Sequence, residues 1–204
     1  MHIAIAGNIG SGKTTLTELL AKHYKWEPHF EDVTDNPYLD DFYTAMQRWS
    51  FNLQIYFLQS RFRQVVDIRE SGKNVIQDRT IYEDAYIFAP NLHAMGLMPE
   101  RDYENYQSLF NLMEPFLQPP DLMIYLRASV STLVEQIQKR GRSYEAGIRL
   151  DYLNRLNERY EAWITTYSKG KILFIDADVN KFGDNPRDLG EIIERIDAEV
   201  NGLF

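Results

Sequence analysis

His2-Ile3-Ala4-Ile5-Ala6-Gly7-Asn8-Ile9-Gly10-Ser11-Gly12-Lys13-Thr14-Thr15 stands at the start of the chain and decides its fold class. The apolar run His2 to Ala6 is too short for a helix and reads as a buried strand. Gly7 to Thr14 then satisfies G-x-x-x-x-G-K-[ST], and a helical pattern follows from Lys13 to Tyr24. Strand, glycine loop and helix in that order build a phosphate cradle. Gly10 and Gly12 let successive backbone N–H groups turn inward, and the helix adds the positive end of its dipole. Lys13 supplies a point charge for the outer phosphates, and the Thr14 hydroxyl is placed to ligate Mg²⁺.

Working outward, short apolar runs recur at Asn74 to Gln77, Leu122 to Leu126 and Ile172 to Ile175, with a weaker one at Trp26 to Phe30. Helical patterns fill the intervals: Tyr38 to Met46, Trp49 to Glu70, Tyr82 to Leu92, Glu100 to Phe116, Ser131 to Arg140, Leu150 to Ser168 and Asp188 to Leu203. Strands separated by helices predict a five-stranded parallel sheet covered on both faces, a three-layer α/β fold built around a P-loop. The only Pro-rich punctuation, Gln118-Pro119-Pro120-Asp121, fits a short loop, so residues 1–204 are expected to form one domain.

The composition, 44% hydrophobic and 25% charged, belongs to a globular protein and excludes disordered and collagen-like classes. A net charge of −8 repels nucleic acid and anionic membrane, so a site for a polyphosphate must be built locally. The absence of Cys removes disulfides, thiolate zinc sites and thiol nucleophiles. No stretch is long and apolar enough to span a bilayer, and His2 to Ala6 runs into Gly7 without a basic region or cleavage site, so a cytoplasmic protein is expected.

Ligands of open parallel sheets bind at the carboxyl ends of the strands, which here are followed by Gly7, Glu31, Asp78, Arg127 and Asp176. The Asn-Lys-x-Asp guanine motif of switch GTPases has only the near match Asn180-Lys181-Phe182-Gly183. The acidic pair of motor ATPases is replaced by Asp78-Arg79. A kinase remains. Glu31 can accept a hydroxyl proton, and with Asp32, Asp35, Asp40 and Asp41 around it the acceptor is expected to be a neutral hydroxyl rather than a phosphate. For those aspartates a solvated loop and helix start is the stronger reading, since Asp35-Asn36-Pro37 is a good capping sequence. Lys139, Arg140 and Arg142 gather around Gly141, local positive charge in a negative protein, and suit a lid over phosphates at about residues 139–147, or a helix C-terminus whose dipole they complement and Gly141 closes.

Five blocks together resemble the deoxynucleoside kinase family, in particular its bacterial purine branch. They are Gly7 to Thr14, Asp35-Asn36-Pro37-Tyr38-Leu39-Asp40-Asp41-Phe42-Tyr43, Trp49-Ser50-Phe51-Asn52-Leu53-Gln54, Asp78-Arg79-Thr80-Ile81-Tyr82-Glu83-Asp84, and Lys139-Arg140-Gly141-Arg142 followed by Glu145. The resemblance implies ATP, Mg²⁺ and a 2′-deoxynucleoside phosphorylated on its 5′-hydroxyl. It makes Glu31 the general base and Arg79 the residue that steadies the hydroxyl and the transferring group. Asp78, where many members carry Glu, joins Thr14 at the metal. It also implies that Gln54, Arg61 and Asp84 read the base, that Phe88 stacks on it, and that Tyr43 and Glu145 contact the sugar 3′-hydroxyl. Gln54, Phe57 and Arg61 share one helix face by their spacing, and a glutamine amide offers the paired donor and acceptor that a nucleobase edge requires. Asp176-Ala177-Asp178 falls where the family's adenine loop lies.

By the same resemblance the Arg61 and Asp84 pair speaks against thymidine, since thymidine-favouring members tend to replace it, and the Asn36-Pro37-Tyr38-Leu39 block, similar to the bacterial purine-type members, ranks deoxyadenosine first, with deoxyguanosine or deoxycytidine next. The helix Trp49 to Glu70 is apolar on more than one side and, by the same resemblance, implies a homodimer. Two rivals share the loop. A thymidylate-type nucleoside monophosphate kinase would need cations for an acceptor phosphate, and an ATPase or switch would turn over ATP with no acceptor.

Overall fold

The computed structural model describes residues 1–31, 33 and 36–202, with Ala146 and Asn201 described by their backbone alone; Asp32, Asp35 and the expected helix end at Leu203 lie outside the described residues. Strands β1 (His2–Gly7), β2 (Glu27–His29), β3 (Val75–Asp78), β4 (Leu122–Arg127) and β5 (Lys171–Asp176) form one parallel sheet in the order β2-β3-β1-β4-β5. Alternate side chains on each strand enter opposite cores, because successive residues of a strand point to opposite faces. Ile3 and Ile5 of β1 and Leu122, Ile124 and Leu126 of β4 pack with Leu16, Leu20, Ile192 and Ile196 on one face. Ala6, Met123 and Tyr125 pack with Leu53, Phe57, Leu58, Tyr106 and Tyr160 on the other. These two cores are the physical content of the three layers.

The helices are α1 (Lys13–Tyr24), α2 (Leu39–Thr44), α3 (Met46–Ser71), α4 (Ile81–Glu83), α5 (Ala89–Ala94), α6 (Glu100–Met113), α7 (Val130–Arg140), α8 (Leu150–Thr166) and α9 (Pro186–Asn201). Three differ instructively from the sequence pattern. The expected helix Tyr82 to Leu92 is interrupted by a π turn over Asp84–Phe88, closed by the Ala89 N–H on the Asp84 carbonyl. Pro90 follows, and a proline that donates no N–H and crowds the preceding turn favours such widening. Helix α6 stops at Met113 and passes into a 3₁₀ turn at Glu114–Phe116, which contains Pro115. Helix α9 starts two residues earlier than its apolar period, because the Asn185 side chain accepts the Arg187 N–H and Pro186 fills the first turn.

None of the described helices is long and apolar enough to cross a membrane. The topology places the loop after β1 at the middle of the sheet, flanked by the ends of β3 and β4, where the chain's crossovers diverge to opposite sides.

Candidate active site

Gly10 and Gly12 adopt φ values of +86° and +95°, a region that disfavours any side chain. A Cβ on Gly10 would also lie 2.7 Å from the Leu133 carbonyl oxygen, so the loop is closed down onto α7. Asn8 fastens the loop from the other side, its amide donating to the Leu153 carbonyl at 3.2 Å and to Asn157 at 3.1 Å in α8. Lys13 is buried and donates to the Asn8 carbonyl at 3.0 Å. Burial, with Arg79 adding repulsion, lowers its pKa to about 8.

Two cavities meet at this loop. One of about 250 Å³ is lined by Ile9, Lys13, Thr14, Glu31, Tyr43, Gln54, Phe57, Asp78, Arg79, Asp84, Phe88 and Glu145, among others. The second, about 380 Å³, lies over Gly10 to Thr15, between Thr132 and Gln136 of α7 and the Asn180 to Asp184 turn. Gly10, Lys13, Thr14, Arg140 and Arg142 line both, so a group bound at the loop is reachable from either side. Gly7 and Asn8 line neither cavity and serve as anchors of the loop.

Glu31, just past β2, reaches into the first cavity and pairs with Arg61 at 2.6 Å and Arg79 at 3.3 Å. Burial pushes its pKa up, but Arg79 and Arg61, then Lys13 and Arg142, outweigh that and hold it down to about 2. Arg79 sits in the left-handed region at φ +67°, with its guanidinium 4.5 Å from the Phe88 ring centre. A non-glycine residue in that conformation is costly, and such strain gathers at functional sites. The Thr14 hydroxyl donates to Asp78 Oδ2 at 2.6 Å, and the buried Asp78 Oδ1 has no partner.

The π turn brings Asp84 and Phe88 to the same wall as Gln54 and Phe57 of α3. Gln54 is buried, and its Oε1 has no hydrogen-bond partner. Asp84 is raised to about 6 by burial, against the pull of Arg61. Arg61 lies behind this wall rather than in the cavity lining: it donates to Asp84 at 2.6 Å, to Glu31, and to the carbonyl of Arg79 at 3.2 Å. It fixes the two carboxylates in place. Glu145 holds Arg140 and Arg142, with Arg140 forked onto its two oxygens and Arg142 at 3.7 Å, and Tyr43 stacks on Tyr144 beside them.

Some expected residues are not brought together. Asp176 and Asp178 line neither cavity. Asp178 accepts the Ser129 N–H at 3.0 Å where α7 begins, and Asp176 accepts the Asp178 N–H at 2.9 Å. Short acidic side chains beside free backbone N–H groups are consumed by the turn itself. Asp40 and Asp41 are exposed in the first turn of α2, so the carboxylates that line this cavity among the described residues are Glu18, Glu31, Asp78, Asp84 and Glu145. Sequence reasoning assigned no role to Glu83 or Tyr160, both buried beneath Arg79. The signal available for Glu83 was the capping box Thr80-Ile81-Tyr82-Glu83.

Residues 3–201 match the family described as deoxynucleoside kinase. The chain belongs to the deoxynucleoside kinase family. It is 38% identical over 98% of its length to the deoxyadenosine/deoxycytidine kinase of Bacillus subtilis, of which 93% is covered. It is 41% identical over 95% of its length to the deoxyadenosine kinase of Dictyostelium discoideum, covering 78% of that protein. The structure of the deoxyadenosine kinase from M. mycoides with dCMP and dCDP bound superposes with a TM-score of 0.87 at 31% identity, covering 97% of this chain and all of that one. The P-loop kinase fold expected from the sequence is thereby matched. The cavities just described belong to an ATP-dependent deoxynucleoside kinase.

Proposed function

We propose that this deoxynucleoside kinase prefers 2′-deoxyadenosine, with deoxyguanosine or deoxycytidine next, and that Gln54 and Asp84 make the choice. The observation that carries this reading is the buried, unpartnered Gln54 Oε1 in a cavity shared with Asp84 and Phe88. An acceptor of that kind asks for an N–H donor, which the exocyclic amino group of adenine supplies while the ring nitrogen beside it accepts from the amide. The Asp84 carboxylate is a second acceptor on the same wall. Thymine offers one ring N–H beside a carbonyl and can satisfy Gln54, but it has no second N–H on that edge for Asp84, whose carboxylate would face a carbonyl oxygen, and that buried mismatch discriminates against it. The relatives named deoxyadenosine/deoxycytidine kinase and deoxyadenosine kinase support deoxyadenosine as a substrate, and those named deoxyguanosine kinase support keeping deoxyguanosine beside it.

In this reading the nucleoside 5′-hydroxyl lies against Glu31, and Tyr43 and Glu145 take the sugar 3′-hydroxyl. The new bond forms between the 5′-oxygen and the γ-phosphorus as the bond to the β–γ bridging oxygen breaks. The hydroxyl proton passes to Glu31, and ADP leaves. Arg79 and Lys13 meet the charge that spreads over the transferring oxygens. Thr14 and Asp78 would hold Mg²⁺, and the unpartnered, buried Asp78 Oδ1 fits that use. The ion supplies neutralisation of the donor phosphates. Residues about 139–147 act as a lid on a single catalytic domain, since Arg140 and Arg142 line both cavities.

A homodimer and a cytoplasmic location complete the proposal. Phe51, Ile55, Phe62 and Val65 of α3 are only half-buried, and Leu112 and Phe116 stand exposed near the end of α6. Light scattering at micromolar concentration is expected to give the mass of two chains.

The test is steady-state phosphorylation of deoxyadenosine, deoxyguanosine, deoxycytidine, thymidine and thymidine monophosphate with Mg-ATP. Deoxyadenosine is expected to show the highest kcat/KM. Preference for thymidine or its monophosphate, or ATP turnover without acceptor, would overturn the reading. Gln54→Ala is expected to raise the nucleoside KM by about 10–100-fold, with the ATP KM within about twofold. Equal effects on both would place Gln54 outside the base pocket.

A further inference from the structure

Beneath Arg79 lies a buried carboxylate that the phosphoryl-transfer scheme does not use. Glu83 is fully enclosed, and both of its oxygens are engaged. One accepts the Gly7 N–H at 3.2 Å, at the first residue of the phosphate loop, and the Tyr160 hydroxyl at 2.8 Å. The other accepts the Thr80 N–H at 2.8 Å and the Thr80 hydroxyl at 3.3 Å, directly after the left-handed Arg79. The Tyr160 hydroxyl in turn accepts from Arg79 Nη1 at 2.8 Å, while Glu83 itself stands 3.7 Å from the same nitrogen. Tyr160 comes from α8, the helix that follows the proposed lid and also receives the Asn8 amide.

We infer that Glu83 and Tyr160 are positioning residues that aim the Arg79 guanidinium and fix its distance from the phosphate loop. The inference rests on the reading of Arg79 as the cation that meets the transferring phosphoryl group. Three points support it. An arginine side chain has many rotamers, and Arg79 is held by a hydrogen bond from Nη1 to Tyr160 and on its face by Phe88, while the Glu31 charge at 3.3 Å attracts its buried Nε without a hydrogen bond. The left-handed backbone at Arg79 is held by Thr80, whose N–H and hydroxyl Glu83 caps. The same carboxylate holds Gly7, so a displacement of the loop and a displacement of Arg79 cannot occur independently. Transition-state stabilisation by a cation depends on such preorganisation, because a charge free to wander must be reordered in every turnover. A purely structural carboxylate would need none of the Arg79 contacts.

The test is a double-mutant cycle on kcat with deoxyadenosine and Mg-ATP. Tyr160→Phe keeps the ring and removes only the hydroxyl. It is expected to lower kcat by about tenfold, with the nucleoside KM within about threefold. In an Arg79→Lys background, where the forked guanidinium is gone, the same change is expected to lower kcat by less than about twofold. Equal losses in both backgrounds, or a loss confined to KM, would overturn the inference. Should Arg79→Lys itself leave kcat unchanged, the Arg79 reading would fail instead, and the two failures are therefore distinguishable. Glu83→Gln gives a second measurement: one of its amide hydrogens must face a backbone or hydroxyl donor, and kcat is expected to fall at least as far as in Tyr160→Phe. Wild-type kcat in Glu83→Gln would also overturn the inference.

Discussion

Glu31→Gln is expected to lower kcat by about 10²–10³-fold while the nucleoside KM stays within about threefold. Glutamine keeps an oxygen for Arg61 and Arg79, so the wall of the cavity survives, but the proton of the 5′-hydroxyl has nowhere to go. A carboxylate held down to about 2 is a weak base in the resting site. It therefore takes the proton late, when bonding to phosphorus has already made the hydroxyl acidic, as a loose phosphoryl transfer allows. The same depression keeps Glu31 ionised at neutral pH and down to about 4, so it contributes no acid limb to the activity profile above that. Stability responds as well. A carboxylate whose folded pKa is lowered stabilises the fold above its unfolded value and loses that contribution as pH falls toward about 2. The contribution is on the order of 3 kcal/mol. Glu31→Gln should melt earlier than the parent at pH 7, and the difference should close as the pH is lowered below about 4. Steady-state kinetics with thermal melts checks both, and near-normal turnover would remove Glu31 as the base.

Lys13→Met is expected to act in the opposite direction on the fold. Without the ammonium group, kcat/KM for ATP should fall by about 10²–10³-fold, because no other side chain of the loop offers the outer phosphates a charge. Stability should rise. The lysine pKa is lowered to about 8 by burial and by Arg79, so the folded state resists its proton. Burying the charged form costs stability fully below about pH 8, and the cost is relieved as pH climbs from there toward the unfolded value. Removing the charge recovers roughly 3 kcal/mol, less about 1 for the Asn8 carbonyl left without its donor. The melting temperature at pH 7 is therefore expected to rise by about 4 °C. A lower melting temperature would mean that the Lys13 to Asn8 bond outweighs the burial cost.

The fold was legible because its signals are local. Alternation on β1 and β4 assigns each residue to one core or the other, and the glycine spacing of the loop has one structural use. What escaped was long-range or irregular. Pro90 sits within an apolar period that reads as one helix, and the period says nothing of a carbonyl left without a donor. Arg61 shares a face with Gln54, as its spacing requires, yet two carboxylates from distant segments draw its guanidinium behind the wall. Asp176 and Asp178 follow a strand at the ligand edge, and the Ser129 and Asp178 N–H groups claim them first. Tyr160 resembles any tyrosine of an amphipathic helix until β3 delivers Arg79 beside it.

The π turn at Asp84–Phe88 also bears on how this cavity tolerates change in chain length. A π turn is a helix carrying one residue too many, so deleting a single residue between Asp84 and Phe88 would restore a regular helix at little cost to the backbone. It would also shorten the Asp84 to Phe88 separation from four residues to three, leaving the two side chains about 60° apart around the helix. They would still share a face, but their registration against Gln54 would change, and the cavity would be reshaped in a protein that still folds. The shape of that wall is thus written partly in the count of residues.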